Sequence, residues 1–173
     1  MEINSKIEIL DKTFVKIIDE ETIHKKIEII ADQINKDYYQ KKVLFLCVLN
    51  GAFIFATELF KKIKLDCEID FLKIKSYEKT ASKNINEIMF PDNLEDKNII
   101  LVEDIIDTGK TINHIKNKIK CKSLRIATLF SKPEIHDLDV NYVGFELKNK
   151  FIVGYGLDYE EKGRNLTSIF CEA

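Results

Sequence analysis

The sequence predicts an α/β fold: a parallel sheet flanked by helices, with a small hood formed by the two chain ends. Three observations predict it. Val43–Leu49, Asn98–Val102 and Leu124–Phe130 are short apolar runs of the kind that form strands buried on both faces. Segments with apolar residues at helical spacing alternate with these runs, which implies right-handed crossovers between parallel strands. The tail from Tyr142 (YVGFEL, FIVGYGLDY, TSIFCE) is strand-rich and reads as a cap completed by an N-terminal strand.

Thr13–Ile18 reads as that N-terminal strand. Asp19 can then cap a helix running to about Asn35, with Ile23, Ile27, Ile30 and Ile34 on one face. Val43–Leu49 follows as a buried strand. Beyond Gly51, AFIFATELFKKI reads as a helix, and Cys67–Ile74 as the next strand. From Ser76 to about Lys97 the chain is polar and without period, so a long functional loop is expected. Asn98–Val102 restores order, Ile112, Ile115 and Ile119 mark a helix face after Gly109, and Leu124–Phe130 is a third buried strand. The chain of 173 residues then makes a single domain over 1–173, with a core at about 19–135 and a hood from the N-terminal strand and about 136–173.

Composition bounds the partners. Apolar residues make up 45% and charged residues 32%, enough for a core and a solvated surface. A net charge of −2 offers no general attraction to nucleic acid or membrane, so neither is expected as a partner. Cys47, Cys67, Cys121 and Cys171 have no CxxC spacing and no neighbouring His cluster, which argues against zinc and for reduced thiols. His24, His114 and His136 match no metal or triad spacing and read as surface or packing residues. The N-terminal MEINSKIEIL lacks the apolar stretch of a signal peptide, and cytoplasm is the expected compartment.

The chemistry concentrates in IILVEDIIDTGKTINHI. Ligands of open parallel sheets bind beyond the carboxyl ends of the strands. Here a buried strand runs into Glu103-Asp104, then Asp107, then Thr108-Gly109-Lys110-Thr111 at a helix start. Gly109 lets backbone approach closely, and free N–H groups with the Thr108 and Thr111 hydroxyls can hold a phosphate that the helix dipole favours. Adjacent acids can accept hydrogen bonds from vicinal ribose hydroxyls or help hold a hydrated Mg²⁺. A Walker A reading fails, because that motif needs glycine five residues before Gly109, where anionic Asp104 stands. A plain turn with solvated acids is the bland alternative, and two isoleucines among three carboxylates are a costly way to make one.

VEDIIDTGKT resembles the phosphoribosyl-diphosphate-binding motif of type I phosphoribosyltransferases: apolar residues, two acids, two apolar residues, a variable residue and TGKT. From Val43 to the C-terminus the chain resembles the 6-oxopurine (hypoxanthine) branch of that family. The resemblance implies the type I phosphoribosyltransferase fold, and an enzyme moving 5-phosphoribosyl from its 1-diphosphate to hypoxanthine, with guanine as a second acceptor. It implies that Glu103 and Asp104 face the ribose hydroxyls, that Asp107, Thr108, Gly109, Lys110 and Thr111 cradle the 5-phosphate, and that Asp107 takes the proton a purine sheds. Leu49-Asn50-Gly51 resembles the diphosphate loop, although many members carry lysine or arginine where Asn50 stands. Ser76 and Tyr77 match the start of a mobile lid, and Lys132 resembles the lysine that contacts the 6-oxo group.

In FIVGYGLDYEEKGR, Phe151 resembles the ring that stacks on the base and Ile152 the residue whose backbone reads its edge. Asp158, on the purine side, resembles a Mg²⁺-linked acid beside Glu103 and Asp104, and Arg164 a diphosphate contact. Mg²⁺ is the implied cofactor, and a homodimer or homotetramer the implied assembly. One rival is a regulatory protein that senses the phosphoribosyl diphosphate and binds nucleic acid; another is a sister transferase preferring xanthine or guanine.

Overall fold

The computed structural model of the chain describes residues 5–77 and 84–173. An N-terminal hairpin comes first, β1 (Lys6–Ile9) pairing antiparallel with β2 (Lys12–Ile18) through a tight turn at Leu10-Asp11. Asp19 then caps α1 (Glu20–Asp37), its Oδ1 accepting from the Thr22 N–H at 2.7 Å, while Glu20 and Glu21 complement the first-turn dipole. Ile23, Ile27, Ile30 and Ile34 are buried, as their spacing predicts. Each is worth roughly 1.5–3 kcal/mol against exposure to water.

β3 (Val43–Leu49) has the expected bounds and leads into α2 (Phe53–Phe60). β4 (Cys67–Tyr77) and β6 (Asn98–Ile106) run longer than their apolar runs, with β5 (Asn84–Met89) between them. α3 (Lys110–Lys118) and β7 (Ser123–Ser131) follow, then β8 (Tyr142–Glu146), β9 (Ile152–Val153) and β10 (Ile169–Glu172).

The main sheet has the order β5-β4-β3-β6-β7-β8, and all of it but the antiparallel edge β5 is parallel. One face packs on α1 and α2 through Ile27, Phe45, Phe55, Leu59 and Val102. The other packs on α3 through Leu46, Leu101, Ile112 and Ile115. A second sheet, β1-β2-β10-β9, joins the two chain ends. Its Ile152, Ile169 and Cys171 share the main core, while Phe14, Val153 and Phe170 form a small cluster on its other face.

Three sequence expectations need correction. The stretch from Ser76 to Lys97 is not all loop, since β5 pairs there with the end of β4. An edge strand needs no apolar run, and a register shift at Lys75/Ser76 breaks the alternation that would reveal it. The lid expected to open at Ser76-Tyr77 continues into 78–83, outside the described residues. Tyr142–Glu146, assigned to the hood from sequence, instead adds to the main sheet beside β7. There Phe145 stacks on Phe130 at 5.6 Å, and the Tyr142 hydroxyl donates to Asp37 of α1 at 2.8 Å. The strand β1 carries no apolar run and was not expected. All four cysteines are free. Among the described residues no helix is long and apolar enough to cross a membrane.

Candidate active site

β6 lies between β3 and β7, so its carboxyl end emerges at mid-sheet. There the apolar run gives way to two adjacent acids. Asp104 is buried, and its Oδ1 accepts from the Ile105 N–H at 2.9 Å. Glu103 Oε2 is also buried and has no hydrogen-bond partner among the described residues. Burial pushes the Glu103 carboxyl well above the usual range, and the Asp104 charge and hydrogen bond push it further. Burial likewise pushes Asp104 up to about 6, against the pull of backbone N–H groups and of the Arg164 charge. Such a pair calls for donors or a cation.

An orphaned carboxylate oxygen beside a second acid suits a hard ion such as Mg²⁺. Among the described residues no three acids, histidines or cysteines come together as a metal cluster. A cation here would therefore complete its shell with substrate oxygens and water, the habit of Mg²⁺.

This pair also sets a pH dependence. Folded-state carboxyl values raised above the unfolded ones make its contribution to stability fully present below about pH 4. The Asp104 contribution is lost as pH rises through about 6, and the Glu103 contribution as pH rises towards its own raised value. Glu103→Gln is expected to flatten the fall in Tm of the ligand-free protein between pH 4 and 7. Parallel wild-type and variant curves in a calorimetric pH series would contradict the assignment.

After Ile106 the chain turns through Asp107-Thr108-Gly109 into α3. Gly109 adopts left-handed backbone, φ 70°, and a Cβ there would stand 2.7 Å from Leu138 Cδ1. No side chain caps the helix, so its first-turn N–H groups remain available to an anion. A cavity of about 80 Å³, lined by Glu103, Asp107, Thr108, Lys110 and Thr111 among others, opens at this point.

The turn behind Gly109 is braced by His136. Its Nδ1 accepts from the Leu138 N–H at 3.2 Å, so Nε2 carries the proton and donates to buried Ser131 at 3.0 Å. His136 is thus a packing residue that supports the turn at Gly109.

Lys132 follows β7 directly. Its backbone N–H donates to Ile106 at 2.9 Å, a consequence of the parallel register Ile106↔Ser131. Its Nζ, on a side chain 6% exposed, lies 3.3 Å from Oδ2 of Asp107, which is 51% exposed. A buried cation and an accessible carboxylate therefore stand together at the mouth of the cradle.

Backbone contacts join the hood to the sheet. The Leu49–Asn50 peptide is cis, and a Cβ on Gly51 would run into the Asp104 carboxylate. On the other side of the loop, Gly156 (φ +101°) packs so closely that its Cβ would collide with the Gly51 carbonyl. Asn50-Gly51 is thus held between the β6 acids and the GYG turn.

Arg164 closes that turn. Its guanidinium donates to the Gly156 carbonyl at 2.9 Å and pairs with Asp158 at 2.7 Å and Glu161 at 3.1 Å. Asp158 is engaged by Arg164 and does not join Glu103 and Asp104 in a metal cluster.

Phe151 is 41% exposed, its ring edge-on to Tyr159 at 5.8 Å, tilted to Phe14 at 6.2 Å and under Lys12 Nζ at 5.4 Å. Ile152 sits on β9, the hood's edge strand, so one side of its backbone is outside the sheet ladder. Sequence reasoning missed Gly156, Tyr159 and Lys12. Gly156 left a signal, a glycine between aromatic and apolar residues in GYGL; Lys12 and Tyr159 act through contacts distant in the chain.

The family model described as the phosphoribosyl transferase domain matches residues 15–160. The hypoxanthine-guanine phosphoribosyltransferase of Streptococcus thermophilus is 42% identical over 166 residues, 91% of this chain and 92% of that one. That of Streptococcus mutans is 41% identical with the same coverage. A crystal structure of a hypoxanthine-guanine phosphoribosyltransferase from Bacillus anthracis superposes with a TM-score of 0.81 at 40% identity, covering 91% of this chain and 96% of that one. A hypoxanthine phosphoribosyltransferase from Staphylococcus aureus gives 0.82 at 31% identity, covering 100% and 97%.

Proposed function

Because the chain belongs to the phosphoribosyl transferase family, we propose that its site moves the 5-phosphoribosyl group of 5-phosphoribosyl 1-diphosphate onto a 6-oxopurine, hypoxanthine or guanine. The observation that carries the base assignment is the Lys132–Asp107 pair at the mouth of the phosphate cradle. A buried cation rewards a 6-oxo acceptor and penalises the amino group of adenine, since two donors would meet. The carboxylate beside it can accept the proton that the attacking purine loses.

The residues divide the work as follows. N–H groups of the Thr108–Thr111 turn and the threonine hydroxyls hold the 5-phosphate. Glu103 and Asp104 accept from the ribose hydroxyls, which supplies the donor that the buried Glu103 Oε2 lacks. Glu103 and Asp104 are the residues that would hold Mg²⁺ together with substrate oxygens, and the ion would supply charge neutralisation for the departing diphosphate. Asn50, Gly51 and Arg164 receive the diphosphate. As the bond from C1 of the ribose to the leaving oxygen breaks, the nearby carboxylates tolerate the growing positive charge. Phe151 stacks on the base and the Ile152 backbone reads its edge. A ring nitrogen bonds to C1, and Asp107 accepts the ring proton. The products are a 6-oxopurine nucleoside monophosphate and diphosphate. Ser76 and Tyr77 open the segment that would exclude water.

The reading is tested by steady-state formation of inosine monophosphate from hypoxanthine, with Mg²⁺ and after chelation. Turnover that depends on Mg²⁺ supports it, and absence of product in both conditions refutes it. Lys132→Met should lower kcat/KM for hypoxanthine about 10–100-fold, the loss of one hydrogen bond from a charged donor, worth about 1.5–3 kcal/mol. KM for the phosphoribosyl diphosphate should hold, and the preference over adenine should narrow. Equal losses for both bases would remove Lys132 from base recognition.

A further inference from the structure

Arg164 is the one charged residue of the three assigned to the diphosphate, because Asn50 stands where a cation is common and Gly51 offers only backbone. Its guanidinium is already occupied. One nitrogen, Nη1, is anchored on the Gly156 carbonyl at 2.9 Å. The other, Nη2, faces two carboxylates, Asp158 at 2.7 Å and Glu161 at 3.1 Å. These two differ in how firmly they are held. Asp158 is fixed by a second bond, its Oδ2 accepting from the Glu161 N–H at 2.9 Å, and its side chain is only 27% exposed. Glu161 makes the longer contact from a side chain 77% exposed. Glu160 and Glu161 both adopt positive φ, 50° and 61°, in the turn that returns the Glu161 side chain to Arg164.

We propose that Glu161 is a positioning residue that occupies Arg164 in the ligand-free protein and yields it to the diphosphate, so that it sets affinity for the diphosphate group. A guanidinium fork suits a phosphate oxygen pair as well as a carboxylate, so the two anions compete for the same donors. The exposed arm leaves first, while Asp158 and the Gly156 carbonyl keep the guanidinium in place. Glu161 therefore weakens binding of the phosphoribosyl diphosphate and of free inorganic diphosphate without touching the base. The inference rests on the transferase reading for its substrate and for Arg164 as a diphosphate contact, and on geometry for the competition of Glu161.

The test is Glu161→Gln in the full chain with Mg²⁺, with Glu160→Gln as a control that removes the neighbouring charge without an Arg164 contact. Titration calorimetry gives Kd for inorganic diphosphate, and kinetics give KM for the phosphoribosyl diphosphate and for hypoxanthine. A largely exposed ion pair is weak, so Kd and the first KM should fall about 2- to 5-fold in Glu161→Gln. The hypoxanthine KM should not move, Glu160→Gln should stay near wild type, and the gain should shrink in high salt. Unchanged or weaker diphosphate binding in Glu161→Gln would overturn the proposal and make Glu161 a buttress of Arg164. Equal tightening in both variants would overturn it too, as a general charge effect. Diphosphate binding without transfer to any base would refute the transferase reading and leave the Glu161 result standing.

Discussion

Asp107→Asn is expected to lower turnover with hypoxanthine about 10²–10⁴-fold, the range a positioned general base contributes. The amide keeps the shape of the side chain and a hydrogen-bonding oxygen towards Lys132, so the substitution removes proton acceptance and the charge of that pair. Asp107 stands at the edge of the phosphate cradle, half exposed and 3.3 Å from Lys132. It is open to an incoming base and held by a cation that the 6-oxo group would share. KM for both substrates should change far less than kcat, because the proposed 5-phosphate contacts are N–H groups and threonine hydroxyls of the turn, which the substitution leaves in place. Undiminished kcat in steady-state assays would show that the proton leaves by another route.

Gly156→Ala should be nearly as damaging, for a reason unrelated to charge. At φ +101° a side chain is strained by about 1–3 kcal/mol. Its Cβ would also collide with the Gly51 carbonyl, and overpacking of this kind costs about 1–3 kcal/mol more. That carbonyl cannot retreat freely, because the Gly51 Cα already lies against the Asp104 carboxylate. The strain must therefore reach the diphosphate loop and the β6 acids together. A fall in Tm with a rise in KM for the phosphoribosyl diphosphate, hypoxanthine KM being less affected, is the expected pattern. A stable variant with wild-type KM would mean that the GYG turn can move away from the loop.

The parts of the molecule legible in the sequence are those whose signal is local. The buried strand Val43–Leu49, the Asp19 cap and the isoleucine face of the first helix are written in neighbouring residues, and each lies where its pattern places it. The turn from β6 into α3 is similar, since a buried strand, two acids and TGKT form one continuous stretch.

What escaped depends on partners far along the chain. Asn84–Met89 is a strand because the end of β4 offers it a ladder, although its own residues lack an apolar run. Tyr142–Glu146 has the composition of a hood strand and belongs to the main sheet because β7 has a free edge. Lys132 is marked in the sequence by resemblance alone, and its pairing with Asp107 escapes because parallel register brings the two together. The clamp of Lys12, Phe14 and Tyr159 on Phe151 joins opposite chain ends, which no local pattern announces.

If the Asp107–Lys132 pair accepts a 6-oxopurine beside a bound phosphoribosyl diphosphate, steady-state transfer with Mg²⁺ and that diphosphate will show it, with hypoxanthine, guanine, xanthine, adenine and uracil offered separately. Turnover is expected with hypoxanthine or guanine, with adenine and uracil far slower or inert. Binding of the diphosphate with no reaction of any base would contradict it, and would identify the chain as a sensor of that metabolite.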